Sequence, residues 1–510
     1  MAARLRAVLP AILLIMLWEI AGDLKWMASG ALPSPSAILV RFWADRADYP
    51  GHIWATLVAS GAGFVIGNAV ALGAGIMFVL VPVTARIARG LNIAIFALPP
   101  IAIAPILALT LPGIAPRVTL AALGVYFVTM QATVTGLTQF DARAGDLIRA
   151  YGGGRWALLR FVQARNALPA ILSGFRVAAP NAVLGAILAE FGSGGRWGLG
   201  SYLLGSLGRA DPARLWGIGL TATLIAGLSY AVFALASAQA LGASQALSLD
   251  PTVLPGRDAK SAGWERLASA LLPFAVWWGV LALLQVPEML GKTPWSVTQY
   301  LFLADASGTA RAKLAAALMQ TLPIAGAGLV AGIAFAFSLA ISSRLIPGFT
   351  RAFMPVALIT QTMPLVALTP LLVLLLGRGT AVTLWITISV TFFPAYVMIA
   401  QGLAQVPRAA LELPRAYGAS TWTELRLVAL PAALPWLLVA VRMTVSRALL
   451  GVMIAEWLAT GRGLGGLMNA SRGHLDYGMI WSVAVVAVLV SVALYRLAEM
   501  AERRLNARAG

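Results

Sequence analysis

Arg149-Ala150-Tyr151-Gly152-Gly153-Gly154-Arg155-Trp156 and Arg415-Ala416-Tyr417-Gly418-Ala419-Ser420-Thr421-Trp422 are two versions of one stretch, 266 residues apart. The correspondence continues outward. Arg160 matches Arg426, Pro169 matches Pro435, Arg176 matches Arg442 and Glu190 matches Glu456. After a one-residue slip, Gly198-Leu199-Gly200 matches Gly463-Leu464-Gly465, and Trp216 matches Trp481. Upstream, Thr56-Leu57 matches Thr321-Leu322, Pro99 matches Pro364 and Pro105 matches Pro370. The chain is a tandem duplication, and each copy sets one polar, basic segment among apolar ones.

The apolar content decides the solvent. Of 510 residues, 60% are hydrophobic and 11% charged, and the mean hydropathy is +0.85. A soluble domain carries about 25% charged residues, so this surface is built for lipid. The formal charge of +18 fits Lys and Arg gathered in cytoplasmic loops better than nucleic-acid binding. With no cysteine and only His52 and His474, thiolate sites, disulfides and histidine metal clusters are excluded from the reading.

Runs of about 20 apolar residues predict spanning helices. In the first copy they centre on Ile15, Ile66, Ala102, Val125, Leu184 and Leu228. In the second they centre on Val280, Val330, Pro370, Ile388, Met443 and Val488. The expected fold is therefore all-α and polytopic, with about twelve transmembrane helices in two parallel six-helix repeats. The first repeat covers residues 1–242, a polar linker 243–263 and the second repeat 264–510. The run after Arg4 and Arg6 reads as an uncleaved first helix, because a similar run at 271–284 cannot be a leader. Proline at 99, 100, 105, 364 and 370 predicts that the third span of each copy is kinked or broken. Gly63-x-x-x-Gly67 and Gly328-x-x-x-Gly332 predict close helix packing. Arginine at 143, 149, 155, 160 and 165, repeated at 408, 415 and 426, together with Arg257, Lys260 and Arg266, places both polar loops, the linker and both termini in the cytoplasm.

The repeated loop is long for a connector, and it carries Tyr151, Trp156 and Leu159, then Tyr417, Trp422 and Leu425. Apolar groups on an exposed basic segment predict a protein partner. Gly152 and Gly418 would allow a sharp reversal before a short helix. Two copies imply two similar docking sites.

Glu412-Leu413-Pro414-Arg415-Ala416-Tyr417-Gly418-Ala419-Ser420, followed by Val428-Ala429-Leu430-Pro431, resembles the EAA loop of ATP-binding-cassette importer permeases. The whole chain resembles two fused permeases of the nitrate, sulfonate and taurine branch. That likeness implies a type I importer permease fold and a coupling helix in each loop, docking on two separate ATPase subunits. It also implies an external solute-binding protein and a small anion or polar organic substrate. The coupling residues it marks are Arg149, Tyr151, Gly152, Trp156, Glu412, Arg415, Tyr417, Gly418, Trp422 and Pro431. The first loop departs further from the pattern. Asp146 stands for the glutamate, Leu147-Ile148 for the alanines and Ala164-Arg165 for the terminal Leu-Pro. The expected setting is a bacterial inner membrane, with lipid around the chain and no nucleic acid.

Gly291-Lys292-Thr293 ends like a phosphate-binding loop, but Val286 occupies its first glycine and Pro294 follows. The chain is expected to bind no cofactor and to leave ATP to its partners. Glu190 and Glu456 end the fifth helix of each copy, and a carboxylate at membrane depth is a functional candidate by default; the alternative pairs them with Arg196 and Arg462 at the outer interface. Gln131, Asn181, Gln361 and Thr362 either line a translocation path or bond between helices. Arg176 and Arg442 read as snorkelling to the interface. A secondary transporter with two parallel six-helix repeats is the rival function; a membrane enzyme lacks the paired carboxylates or histidine cluster it would need.

The orientation is testable because the chain has no cysteine. Single cysteines beside Arg149, Lys260 and Arg415 are expected to react with a membrane-impermeant maleimide only after the cytoplasmic face is opened. Reaction of any one in sealed cells would break the parallel-repeat arrangement.

Overall fold

The computed structural model describes residues 2–26, 30–209, 211–241, 262–346, 348–349, 353 and 365–509. The expected linker up to residue 261, together with Arg351, Gln361, Thr362 and Pro364, lies outside the described residues. The described chain is helical throughout. The first copy comprises α1 (Ala2–Asp23), α2 (Pro35–Ala44), α3 (Tyr49–Leu80), α4 (Pro82–Ala97), α5 (Pro100–Thr110), α6 (Ala115–Thr138), α7 (Ala142–Ala150), α8 (Arg155–Ser193), α9 (Leu199–Leu207) and α10 (Pro212–Leu241). The second comprises α11 (Gly263–Leu283), α12 (Pro294–Phe302), α13 (Ser307–Leu345), α14 (Leu365–Leu376), α15 (Thr380–Ala404), α16 (Arg408–Ala416), α17 (Thr421–Thr460), α18 (Gly463–Gly473) and α19 (Tyr477–Ala509).

Nine of the described helices are long and apolar enough to cross a membrane, and α4 with α5 forms a bent pair, at 98°, that is a broken span or a re-entrant loop. The break has a covalent cause. Leu98 and Pro99 are both extended, with ψ 121° and 113°. Proline restricts the residue before it to that region and donates no N–H. The third span, expected around Ala102, is therefore two short helices meeting at Pro99-Pro100. Short helices also precede the second span of each copy. Ser34 caps α2 and Thr293 caps α12, each accepting from an N–H three residues on and each followed by proline at the first turn. Thr293, the last residue of the false phosphate loop, is thus a helix cap.

The glycine pairs pack as their spacing predicts. Gly63 and Gly67 lie on Ala121 and Ala122 of α6, and Gly328 and Gly332 lie on Thr387 and Thr391 of α15. A β-carbon at any of the four would fall inside its neighbour's contact distance. The first and last helices of each copy meet through tryptophans. Trp18 packs on Trp216 at 5.3 Å, and Trp277 stacks on Trp481 at 5.3 Å. The copies are joined by polar bonds as well as apolar contact. α11 lies along α4 of the other copy, where Arg86 donates twice to Glu265 at 2.8 Å and the Gly90 N–H donates to Ser269 Oγ. Arg472 Nη1 reaches the Gly192 carbonyl at 2.8 Å.

Candidate functional site

Each polar loop folds into a nine-residue helix, α7 or α16, that ends on an exposed tyrosine. The next residue, Gly152 or Gly418, has φ 76° in both copies, a left-handed conformation that costs glycine nothing. The N–H after it bonds back to Ile148 O at 2.8 Å or Pro414 O at 3.0 Å, closing the helix end. Tyr151 is 86% exposed and Tyr417 is 87% exposed. Leu147 and Trp156, and Leu413 and Trp422, surround them and are also exposed. The structure thus brings Tyr151, Gly152 and Trp156 together, and likewise Tyr417, Gly418 and Trp422, as apolar knobs on a basic surface. Arg149 pairs with Asp146 at 3.0 Å on open surface. Glu412 and Pro431 are exposed, Pro431 in the first turn that follows the loop.

After each reversal the chain passes through one α-turn and a π-turn, Leu159–Gln163 or Leu425–Ala429, and continues as the fifth span. Loop and span are therefore one rod of 39 residues in the first copy and 40 in the second. π-turns occur frequently at functional sites in helices.

The second loop is tied down where the first is not. Glu424, 3% exposed, accepts from Arg415 at 2.7 and 3.1 Å and from Arg344 at 3.1 Å. The pairing with this buried carboxylate holds the Arg415 guanidinium above its ordinary pKa. Leu158 occupies the matching position in the first copy. Sequence reasoning missed Glu424, because a glutamate in a charged loop carries no sign of pointing inward.

At the far end of each rod sits a buried carboxylate. Thr56 Oγ1 donates to Glu190 at 2.8 Å, accepts from the Leu199 N–H at 2.9 Å, and the Gly200 N–H donates to Glu190 Oε2 at 2.9 Å. The second copy repeats the set: Thr321 to Glu456 at 2.8 Å, Leu464 to Thr321 at 2.9 Å and Gly465 to Glu456 at 3.0 Å. Glu190 is 0% exposed and Glu456 2%. The partners expected as the alternative, Arg196 and Arg462, do not hold them; a threonine and a helix N-terminus do. Gly198 and Gly463 touch the carboxylates so closely that no β-carbon fits. The signal existed in the sequence, since Thr56, Glu190 and Gly200 all recur at the repeat offset.

The remaining polar groups divide. Gln131 is buried in α6, and Asn181 is half-buried on α8. Arg442 does not snorkel: it is 1% exposed, pairs with Glu502 at 2.6 Å and donates to Tyr495 at 3.0 Å. Arg176 meets the equivalent Tyr230 at 2.7 Å. Arg447, which sequence reasoning passed over, matches Asn181 at the repeat offset. It is half-buried in α17 and has no acceptor among the described residues. On each of these helices a narrow half-open stripe runs at helical spacing: Val177, Asn181 and Leu184, and Met443, Arg447 and Leu450. α8 and α17 are largely buried on their other faces, and each touches the third span of the other copy. Among the described residues, no group of His, Asp and Glu is arranged to hold a metal ion.

A family model described as "Binding-protein-dependent transport system inner membrane component" matches the chain twice, over residues 63–243 and 328–508. A probable ABC transporter permease protein of Haemophilus influenzae is 29% identical over 224 residues, 43% of this chain and 87% of that protein. A riboflavin transport system permease protein of Chloroflexus aurantiacus is 34% identical over 155 residues, 30% of this chain and 58% of its own length. A putative aliphatic sulfonates transport permease protein of Bacillus subtilis is 25% identical over 258 residues, 49% of this chain and 89% of that protein.

The carboxylate clasp predicts a stability effect. Thr321→Val keeps the side-chain shape but removes the donor to Glu456 and the acceptor for Leu464. A loss of about 1–3 kcal/mol is expected, because the buried Glu456 carboxyl and the Leu464 N–H each lose a partner. Thermal unfolding in detergent should show it, with Thr321→Ser close to wild type. Equal melting of the valine variant and wild type would remove the clasp from the account of stability.

Proposed function

Because both halves of the chain belong to the binding-protein-dependent transport system inner membrane component family, we propose that this protein is the permease subunit of an ATP-driven importer. On this reading the two copies together form the translocation pathway across a bacterial inner membrane. The polar loops, the linker and both termini face the cytoplasm. Two ATP-binding-cassette ATPase subunits dock on the loops, and an external solute-binding protein delivers the substrate. The chain binds no cofactor, contacts no nucleic acid, and leaves ATP hydrolysis to its partners.

The observation that carries this reading is the repeated exposed tyrosine at the end of a short amphipathic helix, one tight reversal before the rod of the fifth span. A large apolar side chain in a basic, solvent-facing loop is suited to a hydrophobic groove on a soluble partner. The π-turn and the rod behind it would pass a displacement at the loop to the buried end of the span.

Relatives are named for riboflavin, aliphatic sulfonates and glycine betaine. For this chain we favour a small anion, on the ground of Arg447. A guanidinium inside a spanning segment with no acceptor among the described residues is costly, and a passing carboxylate, sulfonate or phosphate would supply a partner charge. Asn181 would offer a neutral hydrogen-bonding group at the matching position.

Two experiments test the reading. Gly418→Asp puts a β-carbon and a charge at φ 76° and should weaken capture of the ATPase subunit about ten- to hundredfold, as for a loss of roughly 1–3 kcal/mol. Gly152→Asp should act less, since the first loop lacks the Glu424 tie. ATP hydrolysis should appear only when the ATPase subunit is added. Wild-type capture and uptake by normally expressed Gly418→Asp would reduce the loop to a connector. Separately, Arg447→Gln in the assembled importer should lower uptake at least tenfold while binding-protein-stimulated ATP hydrolysis persists, and Arg447→Lys should restore part of it. Unchanged uptake by Arg447→Gln would dismiss the anion reading without touching the importer assignment.

A further inference from the structure

Three arginines meet the short connection at the far end of α8, opposite the polar loop along the rod. The connection, 192–197, is turned by Gly194 at φ 65°. Arg117, on α6, donates from Nη1 to the Trp197 carbonyl at 2.7 Å, and its Nη2 lies where a β-carbon at Gly195 would be. Arg196 belongs to the connection itself and sits over the Trp197 ring at 5.2 Å. Arg472, on α18 of the other copy, donates from Nη1 to the Gly192 carbonyl at 2.8 Å. Leu207 holds the place of Arg472 in the first copy, so this third cation is particular to the seam between the copies.

The charge at this seam has one sign. No Asp or Glu occurs at 98–140, 191–210 or 457–475, the segments that carry the three arginines. Among the described residues none of the three forms an ion pair. The acids of adjoining segments are engaged. Glu190 is buried in its clasp, and Asp48 faces Tyr202 Oη at 3.4 Å and Arg214 at 3.7 Å. Helix capping explains part of the arrangement, since a helix C-terminus carries about half a negative charge and attracts cations. It does not explain three guanidiniums. Each has five N–H donors; Arg117 and Arg472 each use one on a carbonyl, and Arg196 uses none. Arg117 and Arg472 are half-buried and Arg196 is exposed, so the remaining donors stay within reach of solvent.

Unused guanidinium donors beside an aromatic ring fit one ligand chemistry. We propose that Arg117, Arg196 and Arg472 form a receiving site for a small organic oxyanion, with its sulfonate, carboxylate or phosphate among the guanidiniums and its organic part against Trp197. Arginine makes its strongest hydrogen bonds to such charged oxygens. Trp197 is 45% exposed, which leaves part of the ring open to a short apolar body. The site is separate from Arg447, which lies inside its span. It would give an anion its first contact before the stripe that bears Arg447, and to that extent it rests on the small-anion reading.

The test exploits the absence of cysteine from the chain. Ser193→Cys puts a reporter thiol in the connection, and Leu475→Cys puts a second one three residues from Arg472, at a position 64% exposed. The full chain in detergent is reacted with sulfonatoethyl methanethiosulfonate and with its trimethylammonium counterpart, and the ratio of the two rates is normalised to that of a free small thiol. The arginines should raise the ratio about tenfold or more, as in clefts of one charge. Arg196→Gln and Arg472→Gln should each lower it several-fold; the first breaks no hydrogen bond, and melting identifies the folded variants. Ethanesulfonate should slow the anionic reagent saturably, and more than chloride does at equal ionic strength. A ratio equal to that of the free thiol at both reporters overturns the proposal, as does an unchanged ratio in folded Arg196→Gln. Equal slowing by chloride and ethanesulfonate also overturns it, leaving a diffuse field suited to an acidic protein face. No uptake or partner enters the measurement, so its failure leaves the importer reading and the Arg447 test standing.

Discussion

Burying a carboxyl group without hydrogen-bond partners is costly, and this chain buries two, each with its partners supplied. Glu190 and Glu456 are tolerable because a threonine hydroxyl and a helix N-terminus converge on each one. Each set joins three segments: the second span through threonine, the fifth through glutamate, and the short helix after it through its backbone. The threonine both donates to the carboxylate and accepts from the N–H of Leu199 or Leu464, so loss of any one member leaves the others unsatisfied. The glycines at 198 and 463 follow from the same constraint, since a β-carbon there would occupy the carboxylate's space.

This constraint also accounts for the one-residue slip between the copies. In the first copy the left-handed residue that ends the fifth span is Gly194, four residues after Glu190. In the second it is Gly461, five residues after Glu456, because the helix closes with the π-turn Glu456–Thr460. The connection to the next helix is shorter to match, and Gly463 arrives where Gly198 does. The backbone changed its path, yet the three hydrogen bonds of the clasp kept their lengths to within about 0.1 Å. Elsewhere the copies were free to diverge. Glu424 fixes one loop where Leu158 stands in the other, and Arg447 stands where the first copy has Asn181.

The duplication, the apolar spans, the broken third span and the glycine contacts were legible in sequence because each depends on neighbours at short, fixed spacing. Pro99-Pro100 breaks a helix whatever surrounds it. Gly418 announces a reversal because few other residues adopt its backbone conformation. The buried polar pairs were not legible in the same way. Arg442 and Glu502 are 60 residues apart in sequence, and nothing local distinguishes that arginine from one that snorkels. Glu424 is read as surface charge until the position of Arg344, on another helix, is known. The clasp stands between these cases. All of its members repeat, but their convergence requires the second and fifth spans to be adjacent.

The same geometry limits how the molecule can move. From Thr421 to Thr460 the chain is continuous helix, and its far end is pinned to α13 and α18 through Glu456. Along the rod the helix is unbroken, and its glycine, Gly451, is packed against Thr387 and Val390 of α15. The π-turn at Leu425–Ala429 offers a local change of register at the base, above which the span must shift as a unit. In such a shift the clasp would carry α13 and the short helix α18 with it. The fifth spans also touch α5 and α14 of the opposite copies. A displacement at one loop would therefore be felt in both halves, and the half-open stripe bearing Arg447 is on the rod that moves.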